Sequence, residues 1–211
     1  MTVSAKGLLI KSRSIIFLAT GLFLSACGIS PPVQERAIDE KITVKASVEE
    51  VWKAWTTSEG IKTFFAPDAE IELRVDGPFQ IYMNPFAAPG MKGADGMRII
   101  GFQDKKMLSF TWNAPPSLPE ARKQRTVVIV RMVARGDSLT DVSIHHVGWG
   151  EGGEWDKTFD YFAKAWPNVL KNLKKRFDDG PIDWKSWLEQ LKPKAPATVV
   201  STPVPAGKNS G

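Results

Sequence analysis

Glu154–Phe177, EWDKTFDYFAKAWPNVLKNLKKRF, is the stretch on which the fold of this chain turns. Trp155, Phe159, Phe162, Trp166, Leu170, Leu173 and Phe177 recur at three- and four-residue spacing, which predicts one long helix with a continuous apolar stripe. Asp156, Lys157, Asp160, Lys164, Lys171 and Lys174 fall largely off that stripe, and Asp160 and Lys164 are spaced for a pair across one turn. Lys174, Lys175 and Arg176 complement the negative helix end. Pro167 removes a backbone donor and predicts a bend near the middle. A Trp/Phe stripe of this length needs a wide apolar surface, and the only candidate elsewhere in the chain is a sheet.

Working back from the helix, the hydrophobic period changes from four to two. Strand-like runs are Ala69–Val75, Phe79–Asn84, Met97–Gln103, Leu108–Asn113, Arg125–Arg135 and Thr140–Trp149. Asp76-Gly77 predicts a hairpin turn between the first two, and Arg135–Ser138 turns the last pair. Most connections are short, so the sheet is expected to be antiparallel. Two long loops rich in Pro and Gly, Pro85–Gly96 and Ala114–Arg122, have the character of loops that frame a binding mouth or of a plain irregular edge. Upstream, Ile42 and Val44 mark a first strand. Ser47–Glu50 then reads as a capping box opening a helix with Val48, Val51, Trp52 and Trp55 on one face. Ser58 predicts the cap of a second short helix carrying Ile61, Phe64 and Phe65.

The N-terminus carries a different message. Lys6, Lys11 and Arg13 precede an apolar run, Ile15–Leu24, and Leu24-Ser25-Ala26-Cys27 resembles a bacterial lipoprotein lipobox. Basic region, short apolar region and small residues make a secretory signal. As a helix the run spans roughly 16 Å, about half of a bilayer core, so it does not suit a permanent anchor. Cys27 is the one cysteine of the chain, which excludes an internal disulfide and points to an acyl acceptor that would hold the protein on a membrane. The expected organisation is a lipoprotein signal over 1–26, a lipid-anchored tether over 27–37, a folded domain over 38–190 and a Pro-rich disordered tail over 191–211. Removing residues 1–26 takes away three basic and no acidic residues, so the net charge falls from +5 to 5 − 3 = +2. That leaves little support for nucleic-acid binding. Gly28 follows Cys27 where an aspartate would favour retention at an inner membrane, so the periplasmic face of an outer membrane is expected if the organism has two membranes.

One strand, two short helices, an antiparallel meander and a long last helix is the layout of the START-like, SRPBCC superfamily. Within it the chain resembles the activator of heat-shock-protein-ninety ATPase homologues. Three segments carry the likeness: ASVEEVWKAWT at 46–56, DKKMLSFTW at 104–112, and VSIHHVGW at 142–149 with AWPNVL at 165–170. Phe64-Phe65 departs from the tryptophan pair more usual in that family. The resemblance implies an α+β, helix-grip fold: a curved antiparallel sheet of about six to seven strands wrapped around the C-terminal helix, often with an apolar cavity between them. Export would part the domain from the cytosolic chaperone and its ATP, so the family's name is read here as a label of homology.

Strand parity supplies the site candidates. If Val142 and Ile144 face inward, His146 does too, and His145 faces out. His146 then either orients a ligand within an apolar pocket or is a buried neutral histidine bonded to backbone or water. Phe79, Ile81 and Met83 would line one side, Phe110, Trp112, Val128, Val130 and Met132 others, and Phe159, Phe162 and Trp166 the helix side, each being core or ligand wall. Ser143 has the parity opposite to His146, no paired carboxylates face inward on the later strands, and the two histidines are adjacent without a Cys/His cluster. No catalytic residue, metal or cofactor is therefore expected. The expected function is non-catalytic binding of a small hydrophobic ligand by a monomer whose other partner is the membrane. A polyketide cyclase-like enzyme and an interaction domain whose eight tryptophans fill its own core are the alternatives.

Overall fold

The computed structural model describes residues 35–193; the signal region, Cys27, the start of the tether and the tail from 194 lie outside the described residues. The chain runs β1 (Ile38–Val44), α1 (Val48–Thr56), α2 (Ser58–Lys62), β2 (Asp68–Ile71), β3 (Phe79–Tyr82), β4 (Ile99–Gln103), β5 (Met107–Trp112), α3 (Pro119–Arg122), β6 (Thr126–Ala134), β7 (Thr140–Val147), α4 (Gly153–Asp179) and α5 (Lys185–Leu191). All strand pairs are antiparallel, in the order β1-β7-β6-β5-β4, with β2-β3 as a second, two-stranded ladder. The fold is α+β, with the long C-terminal helix and short helices of a helix-grip domain.

The seven strands fall into five and two for a local reason. Ile71 pairs with Phe79, so Asp76-Gly77 lies inside a seven-residue loop rather than forming a two-residue hairpin. Asp76 adopts φ 59°, and Asp76 N–H bonds to Ile99 O while Ile99 N–H bonds to Gly77 O. The loop thus borrows hydrogen bonds from β4, and a single Pro78–Arg98 bridge continues one ladder toward the other. Pro78 has no N–H to extend that seam.

Inward residues form continuous rows across the sheet. Ile38, His146, Val128, Phe110 and Ile99 are successive cross-strand partners, as are Ile144, Val130 and Leu108. All eight are buried, Ile38 being the most exposed at 5 %. Phe162, Trp166, Leu170 and Leu173 of α4 are buried in the same cluster, with Phe159 and Phe177 partly covered at its ends. Each such side chain contributes roughly 1.5–3 kcal/mol by leaving water, which is why the aromatic stripe dictates docking on the sheet. The helix continues through exposed Pro167 as one 27-residue element. Asp160 and Lys164 form no ion pair, whereas Lys174 and Asp178 do.

The capping box of α1 is present: Glu50 N–H donates to Ser47 Oγ at 3.3 Å and Ser47 N–H to Glu50 Oε2 at 2.9 Å. The cap of α2 is Thr57, whose Oγ1 accepts from Gly60 N–H at 2.9 Å. Ser58, the expected cap, instead accepts from Ile71 N–H at 3.0 Å and ties β2 to the helix.

The loop between β3 and β4 folds back on β3. Ala94 N–H donates to Ile81 O at 2.8 Å and Asn84 N–H to Lys92 O at 2.9 Å. This return brings Gly93, at φ 153°, so near β3 that a Cβ would lie 2.5 Å from Ile81 O. Gly93→Ala is therefore expected to lower stability by about 1–3 kcal/mol. Gly136→Ala, at φ 76° with nothing within 4 Å of its Cβ, is expected to lose less. Urea denaturation of the two variants side by side checks the order.

Candidate functional site

His146 sits where helix meets sheet, with none of its surface exposed. Trp166 Nε1 lies 2.8 Å from His146 Nδ1, and His146 Nε2 lies 2.7 Å from Thr126 Oγ1. An indole N–H can only donate, so Nδ1 must accept and the ring proton is assigned to Nε2. The imidazole is neutral and donates to Thr126, whose hydroxyl donates on to Trp112 O at 3.3 Å. Burial, with a smaller contribution from the charge of His145, pushes the His146 pKa down to about 3. Both ring nitrogens are engaged within the protein, while the rings of Trp149 and Phe162 pack 4.1 and 5.3 Å away.

The other inward candidates divide into core and wall. Phe79, Ile81, Phe110, Val130, Met132 and Trp166 are buried in the apolar cluster, with Phe79 and Phe110 stacked at 4.0 Å. Phe159 lies apart, between the Trp149 ring at 5.2 Å and the Arg36 guanidinium at 4.2 Å. Met83, Trp112 and Phe162 come together as the inner wall of a cleft of about 350 Å³. The space between sheet and α4 is thus occupied by aromatic side chains along most of its length, and opens at the end bordered by the two long loops.

The opposite wall comes from Met91–Ala94, Asn113–Pro116 and Tyr161. These loop segments are held by groups that sequence reasoning missed. Arg122 donates to Gly90 O and Gly93 O, each at 2.7 Å, and to Ala114 O. Asp95 accepts from Gly90 N–H at 3.0 Å and Gly93 N–H at 2.9 Å, and stands 3.3 Å from Arg122. With its amide turned so that oxygen faces the guanidinium, Asn113 accepts from Arg122 at 3.0 and 3.2 Å. Burial lowers the pKa of Arg122, opposed by the Asp95 charge. The short helix α3 is pinned from the other side, because Glu154 Oε2 accepts from Glu120 N–H at 2.7 Å and Ala121 N–H at 3.0 Å. No periodic signal marks such residues: they act on loop carbonyls and amides distant in sequence.

Chemically, the cleft offers apolar wall with few polar groups. Lys92 is its single charged lining residue, and Asn84 and Asn113 supply amides. The indole N–H of Trp112 is buried with no acceptor among the described residues. His145 lies on the outer face, 2.7 Å from Asp39, away from the cleft. No helix among the described residues is long and apolar enough to cross a membrane.

Residues 45–178 match the family described as "Activator of Hsp90 ATPase homolog 1-like protein". No curated protein sequence matches the chain. Among solved structures, protein MLL2253 from Mesorhizobium loti is similar at a TM-score of 0.55 and 19% identity, covering 70% of this chain and 100% of that one. CalU16 from Micromonospora echinospora is similar at 0.52 and 19%, covering 74% and 81%. The Aha1 dimer from Colwellia psychrerythraea is similar at 0.52 and 21%, covering 69% and 98%. At these identities the likeness is one of fold.

Because His146 has a folded-state pKa of about 3 against an ordinary 6.5, the unfolded chain binds the extra proton between those values. Stability due to this group is complete above pH 6.5 and is lost as pH falls toward 3, by on the order of a few kcal/mol. Denaturation midpoints measured across that window are expected to show this slope, and His146→Gln, which has no such proton to gain, to lack it.

Proposed function

The chain belongs to the family of activator of Hsp90 ATPase homologue 1-like proteins, within the START-like superfamily of ligand-binding or polyketide cyclase-like domains, and from that premise we propose that it is a non-catalytic binder of a small hydrophobic ligand. The observation that carries this reading is the cleft of about 350 Å³ with Met83, Trp112 and Phe162 as its inner wall. Its volume is within the range of small-molecule sites, and an apolar lining with a few polar groups is what such sites need. Turnover is disfavoured by the state of His146: an imidazole with both nitrogens committed at 2.7 and 2.8 Å, and a pKa near 3, is a poor acid or base at neutral pH.

The reading extends to location. Basic residues, a short apolar run and Leu24-Ser25-Ala26-Cys27 support a domain exported and tethered by acyl chains on Cys27, with the folded body presented on the envelope side of the membrane. The function proposed is accordingly capture of an apolar compound next to a bilayer.

Native mass spectrometry of the full chain, extracted from membranes in a detergent that is stripped in the gas phase, is expected to show a bound small molecule that Met83→Trp displaces. Retention of the same molecule by folded Met83→Trp protein would move the site elsewhere. The denatured intact mass of the same sample is expected to lack residues 1–26 and to carry acyl chains. An unprocessed, unacylated mass would overturn the anchor.

A further inference from the structure

We propose that the partner of the cleft rim is the bilayer itself: the domain sits on the membrane mouth-first, with the loop after β3 dipping into the headgroup layer. This inference rests on the reading of Cys27 as the acylated residue and adds which end of the domain meets the lipid. It also gives the apolar ligand a route from bilayer to cleft that does not cross water.

The chain enters the domain at the cleft end. Glu35 accepts from Gly148 N–H at 2.9 Å, just past the end of β7. Gly148 lies against Thr126, whose Cα is 3.6 Å from where a Cβ on Gly148 would stand. Thr126 opens β6 and pairs with Trp112, the last residue of β5 and part of the inner wall. From β1 to β5 there are three inter-strand steps, so the point of entry is about 15 Å from that wall. On the helix side Arg36 pairs with Asp156 at 2.6 Å and covers the Phe159 ring, a turn before Phe162. Chain length then limits which end can face the lipid. Cys27 precedes Glu35 by 35 − 27 = 8 residues, a reach of at most about 28 Å. From Thr126 to Ala134, β6 alone spans about 27 Å. Turning the β6–β7 end to the bilayer requires the tether to be stretched along the whole domain, at a cost in chain entropy that the cleft end avoids.

The rim has the chemistry for that contact. Pro85–Met91, PFAAPGM, is a surface loop of seven residues without a charged or hydrogen-bonding side chain, and Phe86 and Met91 are each about half exposed. Its backbone makes little demand on water. Pro85 and Pro89 have no N–H, and the N–H groups of Phe86, Ala87, Gly90 and Met91 donate to Asn84 Oδ1, Asn84 O, Asp95 Oδ1 and Ala88 O. Arg122 donates to Gly90 O at 2.7 Å. A loop that satisfies its own amides and presents apolar side chains is suited to a medium poor in hydrogen-bonding partners. Beside it, Tyr161 and Trp187 are about half exposed, and Trp187 Nε1 donates to Met83 O at 2.9 Å. Such rings settle at the water–lipid boundary. At the far end, exposed Val133 and Leu139 flank Arg135 and Asp137, charges that would have to enter the lipid with them.

The test uses the full chain, extracted with its acyl chains and reconstituted in phosphatidylcholine vesicles that carry a nitroxide quencher on the upper acyl chain. Cys27 is the one cysteine and, once acylated, has no thiol to label, so an introduced cysteine takes the fluorophore alone. Ala88→Cys, exposed in the loop, is expected to lose emission about twofold against vesicles without quencher, while Asp137→Cys in the far turn keeps its emission. Phe86→Asp is expected to return most of the emission at residue 88, because a carboxylate resists entering lipid. Absence of quenching at residue 88, equal quenching at residues 88 and 137, or quenching that Phe86→Asp leaves undiminished overturns the docking. With an acylated intact mass, each of these results leaves the anchor and the apolar-ligand reading standing. A mass without acyl chains overturns the anchor and this inference together.

Discussion

The hydrogen bond from Trp166 Nε1 to His146 Nδ1 is the one specific bond between the terminal helix and the sheet within their apolar contact, and much of the architecture follows from it. Dispersion and burial would hold an aromatic stripe against an apolar sheet in several registers, because they are non-directional. A buried donor that finds its acceptor only at one position is directional, and an unmade bond there would leave a polar atom unsatisfied at about 1–3 kcal/mol. Thr126 completes the arrangement by accepting from Nε2 and donating its hydroxyl hydrogen bond to Trp112 O, so the chain of bonds runs from α4 through β7 to β6 and β5. Helix position, imidazole tautomer and the placement of Trp112 are consequently one linked choice.

That linkage decides where the interface stays open. Trp166, Phe162 and Trp112 are held near the middle of the helix–sheet interface, with Trp112 and Trp166 ring centroids 5.5 Å apart and Phe65 closing from the α2 side at 6.0 and 5.9 Å. The interior that the helix-grip layout often leaves empty is occupied by the protein's own rings. Among the described residues, open space lies past Phe162, where the sheet gives way to the loops after β3 and β5. The protein's own rings fill most of the interface, and the apolar cleft lies at its end beside the loops.

Much of this was legible in the residue pattern, for identifiable reasons. The four- and three-residue spacing of Trp155 to Phe177 and the alternation through Val142, Ile144 and His146 are local signals of geometry, and burial follows them on the strand and at Phe162, Trp166, Leu170 and Leu173, while Trp155, Phe159 and Phe177 toward the helix ends are only partly covered. What the pattern did not carry are choices settled by distant partners. Ser58 and Thr57 are both competent caps, and the need of Ile71 N–H for an acceptor 13 residues away settles the matter. The bonds that link the two ladders run from the loop before β3 to β4, partners distant in sequence that β2 itself does not announce. Helix α3, only four residues long, owes its N-terminal partners to Glu154 in another element, and α5 is moored by Trp184 to Lys62 O and by Trp187 to Met83 O. Of the named site residues most are buried, while Met83 and Phe159 are only partly covered; which of them meet open space depended on the loops, whose course no periodicity encodes.

The loops themselves show why the cleft is formed before anything enters it. A wall made of irregular backbone exposes carbonyls and amides that have no ladder to join, and near an apolar cavity these groups need partners from the protein. Arg122 answers three carbonyls with one planar guanidinium, and Asp95 answers two amides with one carboxylate, so a single pair organises both sides of the loop after β3 and its neighbour after β5. Side-chain exposures of 12 % and 14 % put this pair in surroundings where its bonds are only weakly screened. A wall ordered in this way has already lost its conformational freedom on folding.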